Sequence, residues 1–330
     1  MIRTLPLALP LSLAALVLSL PATAQDAPSP NQVVAEANAE EWVKIAPEDL
    51  LVMTLAPDRD GEAREVVIQL MPEPFSQGWV ANIRTLARAG WYDGISVNRV
   101  QDNYVVQWGD PNYDNPEAEG AAKPLPDGLR VMDESDYVDV VRAAEPGDDK
   151  IVLWHPRPDL RDIYAQIATF AKGWPIGIET TQDTKAVRRW PVHCYGMVGV
   201  GRGMSPDTGS GAELYTVIGH APRHLDRNIA LVGRIVSGME YLSSLPRGTG
   251  DLGFYTSEEA DERTPILSIR VASDLPAAEQ PKFEYLSTAG GTFLRYAEAR
   301  ANRRDPFFIM PAGGADICNI PVPLRAAPAD

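Results

Sequence analysis

Cysteine and histidine are scarce in this chain. Its 330 residues hold two cysteines, Cys194 and Cys318, and four histidines. That poverty excludes a zinc module, which draws several such ligands from short spacings. His193 adjoins Cys194, but neighbours on a strand point to opposite faces and do not chelate together. No Gly-x-Ser-x-Gly elbow occurs, so an esterase-like nucleophile turn is excluded as well. Neither a metal nor a cofactor is expected.

Cations are also in short supply. Lysine and arginine number 30 against 45 aspartates and glutamates, a net charge of −15. A polyanion would be repelled rather than exchanged for counterions, so neither nucleic acid nor an anionic membrane is an expected partner. Long apolar runs are missing apart from 5–20. That run is broken by Pro6 and Pro10, preceded by Arg3 and followed by Ala22-Thr23-Ala24. Its shape is that of a signal peptide over 1–24, not a membrane span. No cysteine follows it, which argues against a bacterial lipid anchor. A periplasmic or secreted protein is expected. Removing the leader takes away one cation and no acid. In an oxidising compartment an even pair of cysteines bonds, so a Cys194–Cys318 disulfide is expected; two buried thiols are the alternative.

What is abundant is hydrophobic residue, 45%, enough for a full core, and proline, 29 residues. So much proline favours many loops over long helices. Apolar alternation marks strands over 50–56, 65–71, 95–100, 197–203, 213–219, 229–236 and 266–272. Phe75, Trp79, Ile83 and Leu86 recur at helical spacing, with Gly90 as a stop. Further helices are expected over 238–245 and near 292–303. Residues 25–49 read as a flexible lead-in. Residues 112–189, rich in Pro, Asp and Gly, read as an irregular insertion with one helical candidate at 160–171. Residues 273–330 form an extension packed on the main domain, 50–272. No internal repeat is present.

The most informative segment is WYDGISVNRVQDNYVVQWGDP, from Trp91 to Pro111. It sets one cation, Arg99, in an apolar alternating run. In an unbroken strand Ile95, Val97 and Arg99 share a face. Asp102-Asn103 reads as a turn. A second run puts Val105 and Gln107 on one face and Tyr104, Val106 and Trp108 on the other. The hairpin thus sets an arginine and a glutamine beside apolar side chains. Taken alone, a strand arginine is more often a surface ion-pair partner.

The order Val97-Asn98-Arg99-Val100, a short turn, Tyr104-Val105, Gln107 and Gly109-Asp110 resembles the cyclophilin family of peptidyl-prolyl isomerases. The preceding FSQGWVANIRTLARAGWYDG is similar to that family's cap helix and Tyr-Asp-Gly turn. GMVGVGRG…GSGAELYTVIG and HLDRNIALVGRIVSGMEYL resemble its Gly-rich loop and later strands. The resemblance covers roughly 50–112 and 195–272.

It implies a mainly β protein: a closed eight-stranded antiparallel barrel capped by two helices, with the insertion and extension added. It implies a peptidyl-prolyl cis–trans isomerase, with Arg99 and Gln107 catalytic. Tyr104, Val105, Glu213, Tyr215, His224 and Leu225 would bind substrate. Partners would be unfolded or extended proline-containing polypeptides, met by a monomer. The chain departs from the family pattern at Val97-Asn98, where Phe-His is usual. Glu213 replaces a glutamine and would bring an acid near Arg99. His224 stands at the position of a pocket tryptophan, which implies weak cyclosporin binding. The competing reading is a proline-peptide binding module or holdase with little turnover.

Overall fold

The computed structural model describes residues 27–113, 115–142, 162–180 and 186–328. The expected signal peptide lies outside the described residues.

The chain opens with α1 (Pro30–Ala35), β1 (Trp42–Lys44), β2 (Leu50–Leu55), β3 (Arg64–Leu70) and α2 (Gln77–Arg88). The hairpin of β4 (Ser96–Gln101) and β5 (Val105–Gly109) follows, then β6 (Asp139–Arg142), β7 (Ile167–Ala171), β8 (Trp174–Thr180) and β9 (Ala186–Pro191). Next come β10 (Met197–Val200), β11 (Leu214–Val217), β12 (Leu231–Ser237), α3 (Met239–Ser243) and β13 (Ile266–Val271). The C-terminal part adds β14 (Phe283–Leu286), α4 (Gly291–Ala301) and β15 (Leu324–Ala326).

Eight antiparallel strands form the main sheet, in the order β13-β2-β3-β12-β10-β11-β5-β4. Its two ends meet. Val97 N–H donates to Thr264 O at 2.9 Å, and Ile266 N–H to Ile95 O at 2.8 Å. A bridge joins Ser96 to Pro265. The sheet thereby curls into a nearly closed barrel, which leaves little open edge. Inside lie Leu51, Met53, Ile68, Val97, Val106 and Trp108. The face of α2 carrying Trp79, Val80, Ile83 and Leu86 is buried against this core, as the 3.6-residue period requires.

The insertion is more regular than expected. It contains a four-stranded sheet, β6-β9-β8-β7. The helix expected over 160–171 is corrected: within the described part of that range, Ile167–Ala171 is a strand paired with β8. Its alanines suit a helix, but the turn after it decides the matter. Lys172 and Gly173 have φ of 50° and 83°, the left-handed pair of a tight hairpin. The lead-in also differs from expectation. Ser29 and Gln32 form a reciprocal cap at the start of α1, Val33 is buried, and α1 packs on α4. β1 joins β14 and β15 in a third sheet.

One arginine ties the three sheets together. Arg234, on β12, donates to Gln69 Oε1 and to Gly173 O, both at 2.8 Å. Its guanidinium lies between the Trp174 ring, 4.4 Å away, and the Tyr285 ring, 5.6 Å away. Burial pulls its pKa down to about 9.

Cys194 and Cys318 form the expected disulfide, with Cα atoms 5.1 Å apart and a sequence separation of 124. It fastens the extension to the barrel. Closing so long a loop removes much freedom from the unfolded chain. Replacing both cysteines by alanine should lower stability by about 2–4 kcal/mol. Chemical denaturation of the two proteins checks this; equal midpoints would show that the extension holds without the bond.

Candidate active site

The site is built on β4 and β5, and its decisive feature is one extra residue. Val97 pairs with Trp108, but Arg99 pairs with Gln107. Asn98 is therefore a bulge. Its side chain is fully buried, donating to Gly109 O at 3.0 Å and accepting from Ser96 Oγ at 2.6 Å. The bulge overturns the expectation that Ile95, Val97 and Arg99 share a face. Ile95, Val97 and Val100 all belong to the core, whereas Arg99 turns outward. A bulge shifts the alternation by one residue.

Arg99 is half-buried and donates to neutral oxygens. Nε bonds Leu252 O at 2.7 Å, Nη1 bonds Gln107 Oε1 at 3.2 Å, and Nη2 bonds Gln101 Oε1. The rings of Tyr104 and Phe254 lie 5.6 and 5.5 Å from its Cζ. Burial pulls its pKa below the ordinary arginine value, against an upward pull from Tyr104 and Tyr215. An arginine so placed still keeps its charge at neutral pH.

Arg99 lines an open cavity of about 550 Å³ together with Gln107, Tyr104, Val105, Glu213, Tyr215 and Leu225. Tyr104 and Val105 reach the same cavity although they are neighbours. Tyr104 sits in the turn, its N–H on Gln101 O, and the pleat begins only at Val105. That turn needs Gly219, whose Cβ would fall within 2.5 Å of the Asn103 backbone. Val105, Tyr215 and Val217 form a small apolar cluster with Tyr104 and Ile229.

Of the expected residues, Glu213 lines the cavity with its carboxylate turned into the protein, and His224 lies outside it. The carboxylate of Glu213 is buried and accepts from Asp110 N–H at 2.8 Å. It fills the space beside Gly109, where a Cβ would meet it at about 2 Å. His224 is exposed and does not line the cavity. It stacks on the outer side of Tyr104, with ring centres 6.4 Å apart. Sequence reasoning passed over Asn115, Arg202, Leu252 and Phe254, which also line the cavity. They come from loops with no periodic signal.

It also passed over a buried polar chain behind the cavity. Tyr215 Oη lies 2.9 Å from His193 Nε2, and His193 Nδ1 lies 2.9 Å from Asp226 Oδ1. Arg223 Nε donates to Asp226 Oδ2 at 2.7 Å, and the rest of its guanidinium grips Asp162 at 2.8 and 3.0 Å. Burial pulls Asp226 upward, but His193 and Arg223 outweigh it and hold its pKa below the ordinary value. The spacing of Arg223 and Asp226 was the one signal available.

The model of the cyclophilin type peptidyl-prolyl cis-trans isomerase family matches residues 60–271. The chain belongs to that family. This cyclophilin is an isomerase by family, with the family's barrel under its two additions. Its fold resembles the crystal structure of cyclophilin AquaCyp293 from Hirschia baltica, at 22% identity and a TM-score of 0.63. That comparison covers 91% of this chain and 98% of the other. A cyclophilin type peptidyl-prolyl cis-trans isomerase from Cryptosporidium parvum, crystallised in the presence of dipeptide Ala-Pro, matches at 12% identity and a TM-score of 0.35. There the coverage is 67% of this chain and 98% of the other. None of the curated proteins compared with the chain matches it.

The polar chain makes stability depend on acid. Asp226 has a folded pKa below its unfolded one, so its contribution is present above about pH 4 and disappears as pH falls through the folded value. Asp226→Asn should flatten the acid limb of a stability–pH curve. It should also cost about 2 kcal/mol at neutral pH, because the charged hydrogen bonds to His193 and Arg223 are weakened while Asp162 still answers Arg223. Urea unfolding from pH 3 to pH 7 reads both effects; parallel curves for the two proteins would remove Asp226 from the argument.

Proposed function

We propose that this cyclophilin accelerates X–Pro isomerisation in exported polypeptides, with Arg99 as the donor to the prolyl nitrogen. The observation that carries the reading is a half-buried guanidinium held on neutral acceptors beside an apolar wall in an open cavity. The barrier to rotation is about 18–20 kcal/mol, because the nitrogen lone pair is shared with the carbonyl. As the bond twists, the nitrogen pyramidalises and recovers that lone pair. A donor aimed there binds the twisted state better than the planar one, which lowers the barrier without a covalent step. Tyr104, Val105, Tyr215, Leu225 and Ile229, all on the cavity wall, would seat the proline ring. Gln107 would orient Arg99 through the 3.2 Å bond. A periplasmic or secreted location is supported by the leader-like first 24 residues and by the disulfide, which persists in oxidising compartments. The protein would act as a monomer on unfolded or extended chains.

One observation favours a second reading. Three of the five guanidinium N–H groups of Arg99 are already engaged within the protein. A site with so few donors left could hold proline peptides, as a binding module or holdase, and turn them over slowly.

Arg99→Ala should lower catalysed isomerisation of an X–Pro peptide about 100-fold. Stability should fall by only about 1 kcal/mol, since one neutral hydrogen-bond set is lost and no core volume. Arg99→Lys should recover little, because a point charge cannot replace the fork. Isomerisation kinetics with thermal unfolding alongside decide the matter. Full turnover in Arg99→Ala would refute the role, and negligible turnover in the wild type with retained peptide binding would favour the module. Cyclosporin should inhibit weakly. His224 stacks outside the cavity on Tyr104 and offers neither the area nor the indole donor of a tryptophan. Inhibition unaffected by His224→Trp would count against that explanation.

A further inference from the structure

The chain carries a net charge of −15, yet its cavity is lined by two arginines, Arg99 and Arg202, and one acid. That acid, Glu213, is buried with its carboxylate on the Asp110 N–H. Arg202 is half-buried. Its Nε donates to Asn228 O at 3.0 Å and its Nη1 to Gly203 O at 2.8 Å. Both partners are carbonyls, and among the described residues no carboxylate lies within ion-pair distance of Arg202. Its Nη2 bonds no described residue.

The surroundings place this guanidinium beside the seat of the proline ring. Asn228, which anchors Nε, precedes Ile229 of the apolar wall. Gly201, just before Arg202, lies against the catalytic side: a Cβ there would sit 3.5 Å from Gln107 Nε2, and Gln107 accepts from Arg99. Two half-buried cations thus flank one apolar patch. A half-buried cation answered only by carbonyls attracts an anion more strongly than one in bulk water, since the local dielectric is lower. A fork with a free edge suits a carboxylate.

Building on the isomerase reading above, we propose that the site prefers proline segments bearing an acidic side chain within two residues of the proline, and that Arg202 is the residue that reads it. Lysine-flanked segments would be disfavoured by both arginines. The preference follows from the cavity and runs against the charge of the whole protein, which by itself would steer basic peptides inward.

The test uses the peptides Ala-Xaa-Pro-Phe with Xaa as Glu, Gln or Lys, together with Glu-Ala-Pro-Phe. Binding to the mature chain is read by NMR titration and isomerisation by exchange spectroscopy on the same samples. At least one Glu peptide should bind roughly fivefold tighter than the Gln peptide, the worth of one partly screened ion pair. The margin should shrink as salt is raised. Arg202→Gln should bring the Glu-to-Gln ratio close to one, and Arg202→Glu should shift preference to the Lys peptide. Equal affinities for the Glu and Lys peptides would overturn the proposal even if every peptide isomerises. Acid-selective binding without isomerisation would uphold it while removing the isomerase reading. Failure of all four peptides to bind would overturn both.

Discussion

Asn98 is one residue more than β5 can pair, and its buried amide, held by Ser96 and Gly109, makes that surplus permanent. The strand before it and the strand after it both keep valines in the core. Between them the alternation slips, and Arg99 emerges on the outer wall. Without the slip a cation would face the barrel core, at the cost of an unpaired buried charge. The same residue reaches the neighbouring loop, since Tyr255 N–H donates to Asn98 O at 3.0 Å. That loop brings Leu252 and Phe254 against the guanidinium. Barrel closure, bulge and arginine are one construction.

Charge is distributed around this construction in an uneven way. Acids cover the protein as a whole, but those near the site are occupied elsewhere. Glu213 serves the Asp110 backbone, and Asp226 serves His193 and Arg223. The cavity is left with cations held by carbonyls and amides. Behind its wall, the buried side chains of Tyr215, His193, Asp226 and Arg223 form a chain that fixes the aromatic floor and ends on the half-buried Asp162. Its far end reaches the insertion, because Asp162 belongs to that segment. The disulfide partner Cys194 is the residue next to His193, so the extension is fastened at the same place.

The two additions are docked by chemistry that the barrel itself supplies. Arg234 projects from β12 between Trp174 of the insertion and Tyr285 of the extension, and bonds the carbonyl of the hairpin glycine Gly173. A cation between two aromatic faces, desolvated and hydrogen-bonded to neutral groups, contributes through both stacking and geometry. It explains how segments without a periodic pattern of their own still acquire fixed positions.

Local pattern alone determined the barrel strands, the α2 face of Trp79 and Ile83, the turn at Asp102-Asn103 and the pairing partners available to two cysteines, because each depends on residues a few positions apart. The family motif around Arg99 was legible for the same reason. The orientation of Arg99 was not, since a bulge is set by the pairing count between two strands and not by the alternation within one. The insertion sheet escaped notice because its strands are short and its β7–β8 hairpin hinges on left-handed Lys172, a residue with no turn preference. His193 read as an idle neighbour of Cys194 until folding brought Tyr215 and Asp226, 22 and 33 residues away, to its two ring nitrogens. Contacts over such separations are chosen by the packing of the whole barrel, so only the tertiary structure decided which polar groups meet, and which cations were left facing the cavity.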